Sequence, residues 1–568
     1  MSGGWRRLIA LALALSSSLL SLPARANGRF PNAEQLREIA PGTLVVSGTY
    51  GLLVSGNSKD FQFVCESALF GKTLQGSWVD PLLEVLPDGT ILSGSVNGLR
   101  VSRDHGCSFQ SDRLLPYDPA FIPADPTPGG QLGQIIDLCP DYDHPQGIVA
   151  LSSLTASDGS TFEHRLYRSS ADASGWAELG SPIPTSLVRV VLTVDVAPSD
   201  PRRIYVSGSS LGKSVLLTSE DAGTTWTAYE VSLDDTRGIA GLYIAAVSPS
   251  DPKRLYLRVS RRSLADDGST TWDDSLLASD DAGASTRQVL RRPAALLGFA
   301  LSADGDTVLA GYGDPVVAPV VVADDAVGLY AASAATLDFS LKVADLSVSC
   351  LRWAAGGLYV CAKESDPLAS NPGLTDFHVG IFKGSGVPAK LADFSPLLKL
   401  KDVRGPLPWA SGSATACDAE WAQGDPNSPG QASVCVSLTA CVGSSGAVPL
   451  SAGSFTCGVA DAGNAGNAGN AGNAGDSGAH SGAGGSAPNH AGTAGDGVIA
   501  GSGSTPRSPG HEASSGSCQL ERKQHRSAPW AIGFFFAAII LAARRAARNV
   551  EQEGASASAV QRPRNQHP

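Results

Sequence analysis

A single methionine in 568 residues, with only 17% charged and 6% aromatic side chains, leaves little of what a helix-rich enzyme is built from. The 64 glycines and 36 prolines disfavour long helices, so the composition predicts strands and loops. Several chemistries are missing outright. There is no phosphate-binding P-loop, no dinucleotide fingerprint and no basic groove interleaved with aromatics. None of the ten cysteines forms a C-x-x-C pair, which speaks against a zinc site. The net charge is −12, and basic residues gather in the first 26 and the last 50 residues. The acidic stretch between them is a poor ligand for nucleic acid or an anionic lipid surface. No metal and no cofactor is expected.

Long apolar runs occur only at the two ends. Trp5, Arg6 and Arg7 precede the apolar Leu8 to Leu22, and Ala24-Arg25-Ala26 has the small-x-small form of a signal-peptidase site. Residues 1–26 are therefore expected to be a signal peptide, with an exported mature chain starting at Asn27. At the other end, 528–543 is an uninterrupted apolar run closed by Arg544, Arg545 and Arg548. It is short for a spanning helix, but flanking arginines snorkel to extend its reach. The expectation is one transmembrane helix with 544–568 as a basic cytoplasmic tail and the N-terminal domain outside. The order of a Gly/Ser linker, Gly516-Ser517-Cys518, a short apolar helix and an arginine cluster resembles the C-terminal sorting signal of myxobacterial surface proteins. That resemblance implies Cys518 as a processing or lipid-attachment point; the alternative is a plain juxtamembrane thiol.

Residues 459–517 are almost entirely Gly, Ala, Ser and Asn, including A-G-N triplets from Ala462 to Asn473. Such a segment cannot bury a core and reads as a disordered linker between anchor and body.

The body is a repeat. Ser219-Glu220-Asp221-Ala222-Gly223-Thr224-Thr225-Trp226 is a complete S-x-D-x-G-x-T-W element after an apolar strand. Ser279, Asp281 and Gly283 restate it without the tryptophan, and Ser102, Asp104 and Gly106 restate it with Phe109 in the aromatic slot. Weaker copies begin at Ser55 and Ser169, and Ser333 and Ser385 keep only the strand and the serine. Successive serines are 47 to 67 residues apart, the length of a four-stranded propeller blade with its loops. Asp88-Gly89 and Asp304-Gly305, each between short apolar strands, read as hairpin turns.

These elements resemble the Asp-box, or BNR, repeat of sialidases, sortilin-type receptors and the photosystem II assembly factor family. The resemblance implies an all-β fold: a single β-propeller over 27–404, read as seven-bladed with six or eight blades as alternatives. It also implies structural roles for the Ser, Asp and Gly of each box and for Trp226, which would pack between blades.

Cysteines fit this frame in part. Cys350 and Cys361 flank two strands around Gly356-Gly357 and suit a cross-strand disulfide. Cys65 and Cys107, after the first repeat and within the second, are open to a bridge between neighbouring blades. Cys417, Cys435, Cys441 and Cys457 fall in a small segment, 405–458, too poor in apolar residues to fold without staples. Cys139 is left over, as an odd cysteine or a partner to one of these.

The resemblance points to two functions. A sialidase-like glycoside hydrolase would need an Arg-Ile-Pro-like motif, an arginine clamp and a Tyr/Glu pair. Arg29-Phe30-Pro31 is a poor substitute, and no Tyr/Glu pair stands out. His105, His144, His164 and His378 are isolated, and the acidic Asp141-Tyr142-Asp143 and Asp324-Asp325 do not alternate oxygen ligands as a calcium loop does. No catalytic residue is assigned. The preferred reading is a non-catalytic cell-surface module that binds an extracellular glycan or protein, with the long insertion around 116–130 as its specificity loop. The remaining alternative is a structural envelope protein.

Overall fold

The computed structural model describes the chain from Ala33 to Leu407, apart from breaks of which the longest are 70–81, 113–131, 314–325 and 363–379. The expected signal peptide, Arg29-Phe30-Pro31, the insertion at 116–130, the cysteines after Cys361, the linker, the helix at 528–543 and Cys518 lie outside the described residues. Among the described residues, no helix is long and apolar enough to cross a membrane.

The protein is a seven-bladed β-propeller. Seven four-stranded antiparallel sheets cover 33–65, 82–111, 132–183, 190–230, 239–292, 295–344 and 348–398, numbered here as blades 1 to 7. Each is a simple meander with its strands in chain order. The first strand of each blade touches the first strands of both neighbours, and blade 7 meets blade 1, so the inner strands close a ring around a central channel.

The sequence dictates this packing through strands that are apolar on both faces. In blade 1, Leu44, Val46, Leu53, Phe63 and Cys65 face blade 7. Their alternates Val45, Leu52, Val54 and Val64 face blade 2. Period-two alternation thus places two apolar layers on one sheet, and each layer is buried against a different neighbour. A fully buried aliphatic side chain contributes ~1.5–3 kcal/mol, so the stability of each blade depends on the blades beside it.

Polar side chains bind neighbouring inner strands together. The Gln35 carbonyl accepts from the Leu83 amide at 2.8 Å, and Asp137 accepts from Val194 at 2.8 Å. Thr193 accepts from Ile244 at 2.9 Å, and Asp274, on the third strand of blade 5, accepts from Leu296 on the inner strand of blade 6 at 2.9 Å. At the closure, Ser349 donates to the Ala33 carbonyl at 2.7 Å, while Glu38 accepts from the Gly356 amide at 2.8 Å and the Tyr359 hydroxyl at 2.6 Å. These bonds satisfy groups that burial has cut off from water.

Two further devices complete the ring. Cys350 and Cys361 sit opposite each other on the first two strands of blade 7 and form the expected disulfide. After blade 7 the chain returns to blade 1. The Arg404 amide bonds the Phe61 carbonyl and the Leu407 amide bonds the Phe63 carbonyl, both at 2.8 Å. Leu407 is fully buried, and Arg404 Nε lies 3.2 Å from the Asp60 carboxylate.

Candidate functional site

Successive turns of a meander lie at opposite ends of the sheet, so every blade has a turn end and a loop end. The turn end carries the connections between first and second strands and between third and fourth strands. The loop end carries those between second and third strands and between blades.

At the turn end the three clear repeats have one geometry. Ser219 Oγ donates to Asp221 Oδ1 and accepts from the Gly223 amide, both at 2.8 Å. Asp221 then accepts from the Thr225 amide at 2.8 Å and the Thr225 hydroxyl at 2.7 Å. Ser279, Asp281, Gly283 and Ser285 make the same four bonds, and so do Ser102, Asp104, Gly106 and Ser108. The donors hold the carboxylate in its ionised form. The Thr225 hydroxyl, more than any other group, lowers the Asp221 pKa to about 2, and Ser285 likewise lowers that of Asp281.

Each of these turns also reaches the preceding blade. The backbone is left-handed at two consecutive positions, Ala222 and Gly223 or Ala282 and Gly283, and the second packs on the neighbour. A methyl group on Gly283 would stand 2.3 Å from Leu216 of blade 4. Gly223 accepts a hydrogen bond from the Ser181 amide of blade 3 at 3.0 Å, and Ala282 accepts one from the Thr218 hydroxyl of blade 4 at 2.9 Å. Trp226 is half-buried against the layer between blades 3 and 4. Asp88-Gly89 and Asp304-Gly305 form the hairpins expected of them, with positive φ at both glycines.

The channel holds a cluster that no local pattern announces. Arg37 and Glu84, on the inner strands of blades 1 and 2, form a buried two-pronged ion pair. Tyr142, just past the inner strand of blade 3, has a solvent-shielded hydroxyl without a hydrogen-bond partner. Burial, and after it the charge of Asp195 on blade 4, holds that hydroxyl well above the usual tyrosine range, with Arg352, Glu84 and Arg37 also within electrostatic reach. Charged groups from blades 1, 2, 4 and 7 thus act on one hydroxyl of blade 3.

The other residues singled out from the sequence are occupied. Asp141 is buried and paired with Arg168, so its carboxylate faces a guanidinium. Burial lowers the pKa of His164, whose Nε2 contacts the Arg189 carbonyl at 3.1 Å. His105 packs its ring over Gly89. Asp324-Asp325 and His378 lie outside the described residues. Cys65 and Cys107 are both disulfide-bonded, and Cys139 is a buried free thiol.

The longest connections all belong to the loop end. They are 66–81 and 112–131 between blades, and 314–327 and 363–380 between second and third strands. At the turn end the longest is 385–394.

No protein-family model and no curated protein matches the sequence. Among solved structures, the chain is similar to an ancestral GH74 enzyme at 15% identity, with 54% of this chain and 37% of that one aligned and a TM-score of 0.36. It is similar at 10% identity to the extracellular domain of a one-component system from B. thetaiotaomicron, with 60% and 39% aligned and a TM-score of 0.36. It is also similar to the NanB sialidase from Streptococcus pneumoniae, at 10% identity, with 51% and 65% aligned and a TM-score of 0.32. The chain spans less than two fifths of the length of the first two of these proteins.

Proposed function

We propose that the protein is an exported, surface-anchored propeller whose loop end binds a glycan or a protein without chemical turnover. The observation that carries this reading is the asymmetry of the ring. Its turn end is fixed by a repeated set of side-chain and interblade hydrogen bonds. Its long connections all belong to the opposite end. A rigid ring whose longest connections all leave from one end suits recognition. The buried disulfide of blade 7 supports export, since such bonds persist in oxidising compartments. The signal peptide, the linker and the helix at 528–543 supply the surface anchoring.

The Arg37–Glu84 pair within electrostatic reach of the Tyr142 hydroxyl favours a second reading, hydrolysis of a glycoside. The state of those groups argues for binding instead. Glu84 is held by both prongs of Arg37, and a tyrosine whose pKa is raised by burial is a poor nucleophile. The carboxylates of the turn-end repeats each accept three hydrogen bonds from their own turn, which gives them a structural role.

Incubating the protein with sialyllactose and arabinan oligosaccharides and resolving the products chromatographically tests this point. No released sugar is expected. Release that disappears in a Tyr142→Phe variant would establish the hydrolase.

A further inference from the structure

We propose that His164 is a pH-sensitive latch between blades 3 and 4 at the loop end, closed while its imidazole is neutral and released when the ring takes a second proton. His164 is buried on the third strand of blade 3. Its Nε2 lies 3.1 Å from the Arg189 carbonyl, and the Arg189 amide donates to the Ser209 carbonyl of blade 4 at 3.0 Å. Arg189, in the connection between the two blades, is thus held from both sides. A carbonyl only accepts, so the neutral ring carries its proton on Nε2. Nδ1 is then a bare acceptor, shielded from solvent and without a hydrogen-bond partner among the described residues.

A second proton on Nδ1 would make a buried cation whose new N–H has nothing to bond. The charged groups around it are turned away or taken. Glu163 and Arg165, beside His164 in the chain, point to the other face of the strand, where Arg165 also pairs with Glu178. On the same face Arg168 is paired with Asp141, and Arg189 is exposed. Ser153 and Ile183, opposite His164 on the flanking strands, are uncharged. So are Val188 of the connection and Val191 of blade 4, which share the layer of Ile183.

Burial accordingly holds the His164 pKa below its ordinary value of 6.5. A base whose folded pKa is lowered adds stability above its unfolded pKa and loses it as pH falls from there toward the folded value. Over that window the opening of the latch grows up to about tenfold per pH unit. Release carries the imidazole to water and frees 184–189, which uncovers the fully buried Val188. The turn end does not follow, because Asp221 stays ionised down to about pH 2. Mild acid therefore changes the loop-end surface alone, whatever that end binds.

Hydrogen exchange of the full chain, read by mass spectrometry at about pH 7.5 and about pH 5.5 and corrected for the intrinsic pH dependence of amide exchange, tests the latch. Protection of the Arg189 amide is expected to fall up to about tenfold at the lower pH. A His164→Gln variant keeps a donor for the Arg189 carbonyl and does not titrate, so its protection should be the same at both. Unchanged protection in the unaltered chain, or an equal fall in the variant, would overturn the proposal. If the variant does not accumulate, exchange of the imidazole C2 hydrogen in the unaltered chain decides: a His164 titration midpoint below 6.5 is expected, and one at or above 6.5 would contradict the latch.

Discussion

Arg37 donates to Glu84 through two parallel hydrogen bonds, Nε to Oε1 at 3.0 Å and Nη2 to Oε2 at 3.1 Å, and so ties the inner strand of blade 1 to that of blade 2. Both side chains are almost fully buried. Removing one partner leaves the other charged and without water. Arg37→Ala should therefore lower stability by ~3–5 kcal/mol, while replacing both residues with apolar ones of similar volume should cost far less. Urea unfolding of the single and double variants separates the two outcomes, and equal losses would show that the pair is solvated.

Acid should weaken the turn end. The Asp221 carboxyl titrates near 2 in the folded protein, below its ordinary value of 3.8. A carboxylate with a depressed folded pKa contributes stability above its unfolded pKa and loses it as pH falls through the folded one. The loss is thus expected between about pH 4 and pH 2, and an Asp221→Asn variant should lose less over that window. Midpoints of thermal unfolding across a pH series measure this, and parallel curves for the two proteins would refute it. Ser219→Ala should cost ~1–3 kcal/mol at neutral pH because it leaves the buried Gly223 amide without its acceptor.

Two glycines with positive φ should behave differently. A methyl group on Gly180 would stand 2.3 Å from the Gly223 backbone of the next blade, whereas Gly212 has open space. Gly212→Ala carries only the left-handed backbone penalty, ~1–2 kcal/mol, and Gly180→Ala adds an interblade clash worth a further ~1–3 kcal/mol. Chemical unfolding of the two variants checks the ranking.

The return of the chain to blade 1 should also be measurable. Leu407 is fully buried there, so Leu407→Ala is expected to destabilise by about 2 kcal/mol or more. Scanning calorimetry of the full chain gives the shift, and an unchanged transition would mean that the contact at Phe63 contributes nothing.

Much of this fold is legible in the sequence because the information is local. Seven serines at the period of a blade announce seven sheets. Turn chemistry is carried by residues two to six positions apart, as in Ser219, Asp221, Gly223 and Thr225. Cys350 and Cys361 are legible for the same reason, since they flank a single hairpin. The channel cluster is illegible because Arg37 and Arg352 lie at opposite ends of the propeller sequence and meet only when the ring closes. Leu407 escapes for another reason: Asp402 to Leu407 is too short to show an alternation, and its partners are set by blade 1. The first blade likewise begins at Ala33, before any recognisable repeat.

Recognition at the loop end is best tested by a glycan array incubated with the intact protein and with a form shortened at 116–130. Retention of the intact protein with every spot keeping its sugar, together with loss of retention on shortening, is expected. Sugar lost from the spots, or equal retention of both forms, would place the activity in other residues or in a hydrolytic site.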